Sequence, residues 1–117
     1  MVTQVVPPLL SDSKRNYPGV LEYLNANKKY FPEGEPNAVG LEGFRAAKFF
    51  VEGLKRAEKS LTRDSLISSF EGIKNFDVGA GNKISLSTMN HQGSQKVYPT
   101  VIKSGKFQLV ENWDSLK

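Results

Sequence analysis

Few residues of this chain have the types and spacing that catalysis or metal binding requires. His91 is the only histidine and cysteine is absent, so a Ser-His-Asp triad or a multi-histidine metal site would have to form around one side chain. A single histidine in a loop is more often a surface or hydrogen-bonding residue. The aspartates and glutamates show no spacing that marks a pair of working carboxylates. We therefore predict that the protein is not an enzyme and needs neither a metal ion nor a cofactor.

One glycine pattern, Gly79-Ala80-Gly81, could suggest nucleotide binding. It supplies only part of the glycine pattern of a dinucleotide-binding loop, and it does not lie between a predicted strand and a predicted helix. A turn within the polar segment Asn75–Asn82 is the better interpretation.

Composition and charge exclude several other classes of protein. A hydrophobic content of 38% and a charged content of 24% are typical of a globular chain, and no apolar run approaches the roughly 20 residues that span a bilayer. The formal net charge is +4, but the 16 lysines and arginines occur singly or in pairs rather than in a dense basic block. We therefore expect a solvated basic surface and no nucleic-acid partner.

The elements that would position a site are predicted from apolar spacing. Val2–Val6 is a short β-branched strand that ends at two prolines, which cannot donate to a sheet ladder. Ser11–Tyr17 is a polar connection. Pro18 suits the first position of a helix, and Thr62 suits an N-cap. Helical spacing predicts three helices, at residues 18–31, 39–57 and 62–73.

The middle helix has an apolar surface wider than one side. Its main apolar face contains Leu41, Phe44, Ala47, Val51 and Leu54. Phe49 and Phe50 widen that stripe beyond what a one-sided surface helix needs. We therefore expect this helix to be largely buried.

The last third of the chain changes to the alternating pattern of strands. Ile84 and Leu86 alternate with serines, which predicts a half-buried strand. Two further apolar runs, at residues 97–102 and 107–110, flank Ser104-Gly105. Because glycine supplies the positive φ that a tight turn needs, this pattern predicts a β-hairpin.

The order of these segments resembles the closing third of a type I periplasmic substrate-binding protein. The resemblance rests on TQVVP near the N-terminus, LEGF at Leu41, LTR at Leu61, and His91, Gly93 and Ser94 ahead of the hairpin VYPTVIKSGKFQLVENW. Proteins of this kind are the soluble receptors of ABC importers, in the branch that holds the leucine/isoleucine/valine-binding proteins. The resemblance extends from about Val2 to Trp113.

The resemblance implies an α/β fold, namely part of a Rossmann-like lobe with three helices, a short N-terminal strand and a C-terminal strand and β-hairpin. Residues 1–117 would be one segment of a receptor domain. Within it, residues 1–8 would form a strand and crossover, 9–90 the helices and strand of a first lobe, and 91–117 the hairpin and tail of a second lobe. Other strands of a parallel sheet would be encoded upstream. MVTQVVPPLL lacks the features of an export signal, so the signal would either lie upstream in a longer protein or be left out of this sequence. We expect a periplasmic or extracellular location.

The resemblance also supplies candidate site residues, because the start of the middle helix tends to face the ligand cleft in this family. The candidates for ligand binding are Val39, Leu41 and Glu42. Glu42 could pair with a ligand ammonium group. As an acidic residue in a first helical turn it could equally stabilise the helix itself. Both interpretations stay open.

The implied partners are an amino-acid ligand, branched-chain or a related small carboxylate, and the permease of an ABC transporter. We expect the chain not to bind ligand alone, because half of a cleft lacks the contacts that would enclose the ligand. An unpaired strand at Val2–Val6 and exposed helix faces also predict a homo-oligomer, specifically a strand-exchanged dimer. The alternative function is a self-standing, non-enzymatic module that uses its apolar helix faces to bind a protein.

Overall fold

The computed structural model of the protein describes residues 1–10, 16–57 and 61–116. In chain order its elements are β1 (Val2–Gln4), α1 (Pro18–Tyr30), α2 (Ala38–Arg56), α3 (Arg63–Glu71), β2 (Phe76–Asp77), β3 (Lys83–Ile84), β4 (Tyr98–Lys103), β5 (Lys106–Leu109) and a short 3-10 helix, Trp113–Leu116. The predicted α/β fold with three helices, an N-terminal strand and a C-terminal hairpin is confirmed. Of the predicted connection at 11–17, residues 11–15 lie outside the described part.

Local sequence signals account for the ends of the helices. Pro18 occupies the start of α1, where its missing N–H costs nothing. The Asn37 side chain accepts a hydrogen bond from the Gly40 N–H at 2.9 Å and so caps α2. Thr62 caps α3 as predicted: its Oγ1 accepts from the Ser65 N–H, and the Ser65 Oγ accepts from the Thr62 N–H, in a capping box. The helix α3 ends at Glu71, two residues earlier than predicted.

The main sheet has the order β1-β4-β5, and both pairings in it are antiparallel. The prediction of an unpaired strand at Val2–Val6 is therefore wrong in two respects. The strand ends at Gln4, and Val2 pairs with Thr100, whose hydroxyl donates to the Val2 carbonyl oxygen at 2.8 Å. The partner strand lies almost a hundred residues away in sequence, so no local pattern around Val2 could reveal it. The parallel pairing expected for this lobe does not occur among the described strands.

Two hairpins turn at residues with positive φ. The predicted hairpin of β4 and β5 turns at Ser104 (φ 51°) and Gly105 (φ 72°). In the segment predicted as a turn at 75–82, β2 forms a second, smaller hairpin with β3, which follows that segment. The sequence predicted a strand at Ile84 and Leu86 but not this pairing, and β3 ends at Ile84. Gly79 in the loop of this hairpin has φ 73°, and a Cβ there would lie 2.4 Å from the Gly19 nitrogen, so only glycine fits.

The apolar interior of the described residues includes two small clusters. The first joins α1 and α2 to the segment after β1, through Val6, Val20, Tyr23 and Leu41. The second lies between the β2–β3 loop and the main sheet, through Val78, Ala80 and Tyr98. Tyr17 contacts both clusters, so it links the helical part to the sheet.

The prediction that α2 is largely buried is wrong. Only Leu41 and Gly53 of its 19 residues are buried, whereas Phe50 is 48% exposed and Val51 is 46% exposed. The physical reason is the shape of the chain, a slab of 52 × 35 × 19 Å with a radius of gyration of 16.4 Å. A compact domain of this length has a radius of about 13 Å. The helix thus lies on one side of a thin structure, and no further layer of the described residues covers it.

Candidate ligand-binding groove

An open groove of about 300 Å³ lies beside the N-terminal half of α2. Three parts of the chain form it: the residues after β1, one side of α2, and the segment from β3 to the loop at 91–93. Its apolar lining consists of Val5, Val6, Ala46, Phe49, Ile84 and Leu86, and its charged or titratable lining consists of Glu42, Arg45 and His91. We call this the α2 groove.

The structure places the three predicted site residues in three different environments. Glu42 lines the α2 groove. Leu41 is 0% exposed in the first core cluster, so it has no surface with which to contact a ligand in this structure. Val39 is 79% exposed and is not part of the groove lining. The assignment of the three as ligand-binding residues stays a prediction, and Glu42 is the one that lies in a concave surface.

The helix-stabilising interpretation of Glu42 rested on a helix start that the structure corrects. Because α2 begins at Ala38, its first turn contains no acidic residue, and Glu42 is the fifth helical position. The macrodipole effect falls off within the first turn. Glu42 also forms no ion pair within the described part of the chain. Its carboxylate therefore remains available at the groove.

Arg45 is the groove residue that sequence reasoning missed. Its Nη1 donates to the Val5 carbonyl oxygen at a long 3.4 Å, and its Nε is buried without a hydrogen-bond partner. The signal was present in the sequence, because Arg45 interrupts the apolar row that Leu41 and Phe49 form at a spacing of four residues. A charged residue in such a row lies beside the apolar stripe rather than on the solvated face.

His91 marks the other side of the groove. Its Nε2 lies 2.9 Å from Glu71 Oε1 at the end of α3, with the histidine side chain 63% and the glutamate side chain 20% exposed. This agrees with the predicted hydrogen-bonding role of a loop histidine. The contact ties the loop at 91–93 to α3, and so fixes one rim of the α2 groove.

A second, apolar groove of about 370 Å³ continues from the first along α2 and α3. Phe49 stacks on Phe70 with ring centroids 5.5 Å apart, and Phe50 lies 5.9 Å from the same ring. Ile67 completes this surface and is 44% exposed. We call it the α2–α3 groove. It holds a contiguous aromatic surface that a folded chain normally covers.

A third cavity, of about 740 Å³, lies between the segment at 35–38 and β5. Its charged lining residues, Glu35 and Lys106, are exposed side chains on opposite rims. Unlike the α2 groove, it contains no buried polar atom that lacks a partner among the described residues.

Nothing in the described ranges resembles a metal centre, because no three histidine, aspartate or glutamate side chains come together there. Within the same ranges, none of the helices combines the length and apolarity that crossing a bilayer requires. Burial raises the pKa of the Tyr98 hydroxyl above its ordinary value of 10.0, against a smaller opposing effect of the Arg45 charge. Tyr98 donates to the Ala80 carbonyl oxygen at 2.5 Å and serves the second core cluster rather than a site.

Comparison with known proteins assigns the family. A family model described as periplasmic binding protein matches residues 4–106. The chain belongs to the periplasmic binding protein family. A solved structure of a possible leucine/isoleucine/valine-binding protein from Rhodopirellula baltica SH 1 is similar to it, with a TM-score of 0.84 and 32% identity. The similarity covers 97% of this chain and 30% of that one. No curated protein shows a significant match.

These findings confirm the predicted relationship to type I periplasmic binding proteins. They also explain the thin shape of this binding-protein chain. It spans about a third of the length of the Rhodopirellula protein, so the similar structure contains further chain that has no counterpart in these 117 residues.

Proposed function

We propose that this chain acts in the solute-binding component of an ABC importer for amino acids, with branched-chain amino acids or related small carboxylates as ligands. The observation that carries the proposal is the similarity, at a TM-score of 0.84 over 97% of the chain, to a possible leucine/isoleucine/valine-binding protein. In this proposal the α2 groove forms one wall of the ligand cleft. Glu42 pairs there with the ligand ammonium group.

The partner and the location follow from the same proposal. A receptor of this kind delivers its ligand to the permease of the transporter from a periplasmic or extracellular compartment.

The chain by itself supplies only one wall of a cleft. A small-molecule site normally buries most of its ligand, whereas the α2 groove is open to solvent. We therefore expect no micromolar binding of free amino acids by the 117-residue chain. Calorimetry against branched-chain, aromatic and polar amino acids measures this directly, and micromolar binding of any of them contradicts it.

A chimera tests the proposed function in a complete receptor. In it, this chain replaces the matching 30% of the Rhodopirellula protein, whose fold it shares. We expect the chimera to bind at least one branched-chain amino acid with a dissociation constant in the micromolar range. The chimera with Glu42→Gln serves as the matched control. A folded chimera that binds no member of the panel contradicts the proposal.

One observation favours a second candidate function, a protein-interaction module. The α2–α3 groove presents Phe49, Phe50, Ile67 and Phe70 without any covering layer in the described structure. An exposed aromatic surface of this kind marks either a missing part of the fold or a protein-binding site. If the isolated chain is a folded monomer and the folded chimera binds no amino acid, the module is the better account.

The same surface supports the proposal that the isolated chain forms homo-oligomers. A chain of this mass has an expected accessible surface of about 6,300 Å². The observed surface is 8232 Å². The excess, roughly 1,900 Å² on one chain, is more than twice the about 800 Å² that each partner buries in a standard protein interface. The strand-exchanged dimer was predicted from an unpaired N-terminal strand, but β1 pairs with β4 within the chain. We therefore propose that the contact between copies lies at the α2–α3 groove.

A further inference from the structure

We propose that Arg45 is the anchor for the ligand carboxylate in the α2 groove, so that this wall of the cleft selects ligands that carry a carboxylate group. The inference rests on the proposed function of the groove as a ligand site. It adds a residue, and a requirement on ligand chemistry, that neither the family match nor the predicted site contains.

The unsatisfied hydrogen bonding of Arg45 is the first observation behind it. Guanidinium groups carry five N–H donors and are almost never buried without partners. Here the Nε is buried with no partner among the described residues, and Nη1 makes only the long 3.4 Å contact with the Val5 carbonyl. An unpaired buried donor is costly, because it has lost its water and gained nothing in return. If the Arg45 side chain turned to expose Nε to the groove, a carboxylate there would satisfy Nε and one Nη together, since a guanidinium binds carboxylates through two parallel hydrogen bonds.

The relation of Arg45 to Glu42 is the second observation. The two residues are three positions apart on α2, a spacing that places their Cβ atoms about 5–6 Å apart on one side of a helix. Opposite charges on neighbouring helix positions can form an ion pair, as Glu52 and Arg56, four positions apart, do at 2.6 Å on the same helix. Glu42 and Arg45 form none. Two opposite charges held apart at one groove complement a zwitterion, whose ammonium and carboxylate groups are likewise separate.

The rest of the groove fits the side chain of such a ligand. Its volume of about 300 Å³ lies at the small end of the range for ligand sites. Phe49, Ile84 and Leu86 also line it, so an apolar side chain of the ligand would have apolar residues to contact. The groove therefore combines an anion site, a cation site and an apolar surface, which together describe a small apolar amino acid.

The competing interpretation is structural. Arg45 could act only as a clasp that holds the segment after β1 through the Val5 carbonyl oxygen. The two roles predict different responses of Arg45 to added ligand. A residue that only holds the Val5 carbonyl oxygen would not distinguish a carboxylate from an amide, whereas a carboxylate anchor would.

Nuclear magnetic resonance on the 117-residue chain separates the two interpretations. Labelling with ¹⁵N-arginine gives one Nε–H signal for each of the four arginines, and the Arg45→Lys variant identifies that of Arg45. The chain is titrated to about 50 mM with leucine, and in parallel with leucinamide, which keeps the ammonium group and side chain but lacks the carboxylate. Arg56, whose Nε already donates to Glu52, is the internal control.

We expect the Arg45 Nε–H signal to shift saturably with leucine and at least fivefold less with leucinamide, while the Arg56 signal stays constant. An equal response to both compounds, or no response to leucine, overturns the proposal. Either of these results leaves the proposed receptor function standing if the chimera binds leucine. Failure of the chimera, in contrast, removes the receptor function whatever the Arg45 signal does.

Discussion

The two halves of α2 have the same kind of apolar sequence but very different surroundings. In the N-terminal half Leu41 is 0% exposed, because Val20 and Tyr23 of α1 cover it. In the C-terminal half Phe50 is 48% exposed, and its neighbours Phe49 and Phe70 form a groove that remains open. The difference teaches that an apolar stripe on a helix identifies the side chains that need to be buried, but not the part of the protein that buries them. Whether the residues that bury them belong to the same chain depends on how much of the fold the chain contains.

The closed half and the open half have different consequences for function. The closed half fixes the backbone of α2 through core contacts, and so positions Glu42 and Arg45 at the α2 groove. The open half needs a second layer, since domains are built from at least two packed layers around a core. The Rhodopirellula protein, of which this chain covers 30%, has more chain from which such a layer could come.

The largest expected effect concerns the closed half. Leu41→Ala removes a fully buried side chain and leaves a cavity, so we expect the free energy of unfolding to fall by about 2–5 kcal/mol. Leu21→Ala on α1 is the matched control, because it deletes the same atoms from a side chain that is 37% exposed. The control should lose less than about 1 kcal/mol. Urea unfolding of both variants measures the contrast, and equal losses would mean that the two environments do not differ as described.

The next effect tests whether the closed half positions a ligand-binding carboxylate. In the chimera, Glu42→Gln should weaken amino-acid binding by about 1.5–3 kcal/mol, as expected for loss of a charge-assisted hydrogen bond. The thermal stability should change little, because Glu42 lies beyond the first turn of α2. Paired calorimetric titrations and thermal melts measure the two quantities. Unchanged affinity with a stability loss of about 0.3–1 kcal/mol would restore the helix-stabilising interpretation.

Tyr98 belongs to the second core cluster, and its burial predicts how the free energy of unfolding depends on pH. Burial raises the pKa of its hydroxyl in the folded state above the unfolded value of 10.0. The folded state therefore holds this proton more tightly, so the contribution to stability is complete below pH 10 and is lost as the pH rises through the folded pKa. We expect the free energy of unfolding to fall above about pH 10, and to fall less steeply in Tyr98→Phe. Parallel slopes for the two proteins would contradict the burial of this hydroxyl.

The smallest effect concerns the contact between His91 and Glu71. His91 lines both the α2 groove and the α2–α3 groove. This contact is partly exposed, so we expect His91→Ala to change the free energy of unfolding by no more than about 1 kcal/mol. Glu71→Gln, which keeps the shape of the partner, is the control. Chemical denaturation at neutral pH measures both, and a much larger loss would show that the loop at 91–93 is held more firmly than one exposed pair allows.

Local features of this fold were predictable because their causes are local. Thr62 capped a helix and Ser104-Gly105 closed a hairpin, each as the residue chemistry indicates. The pairing of Val2 with Thr100 was not predictable, since it depends on a strand nearly a hundred residues away. The strand at Ile84 was predicted, but its hairpin with β2 was missed because β2 has two residues and shows no alternation.

The candidate site was predictable only in part. The resemblance led to Glu42, but periodicity alone could not decide that Leu41 faces the core and Val39 the solvent. Arg45 could have been found as the charged interruption of an apolar row on α2. Its significance comes from the unpaired Nε, which depends on the tertiary structure and cannot be read from the sequence.

Light scattering on the isolated chain tests most directly the central claim, which is that the C-terminal half of α2 exposes an apolar surface that needs a second layer. At micromolar concentration we expect a homo-oligomer that dissociates when Phe50→Glu places a charge in the α2–α3 groove. Phe107→Glu is the matched control, because Phe107 is 44% exposed on β5 outside that groove. It should leave the oligomer intact. A wild-type chain that remains a folded monomer at every concentration would contradict the account, since the exposed surface of α2 would then need no cover.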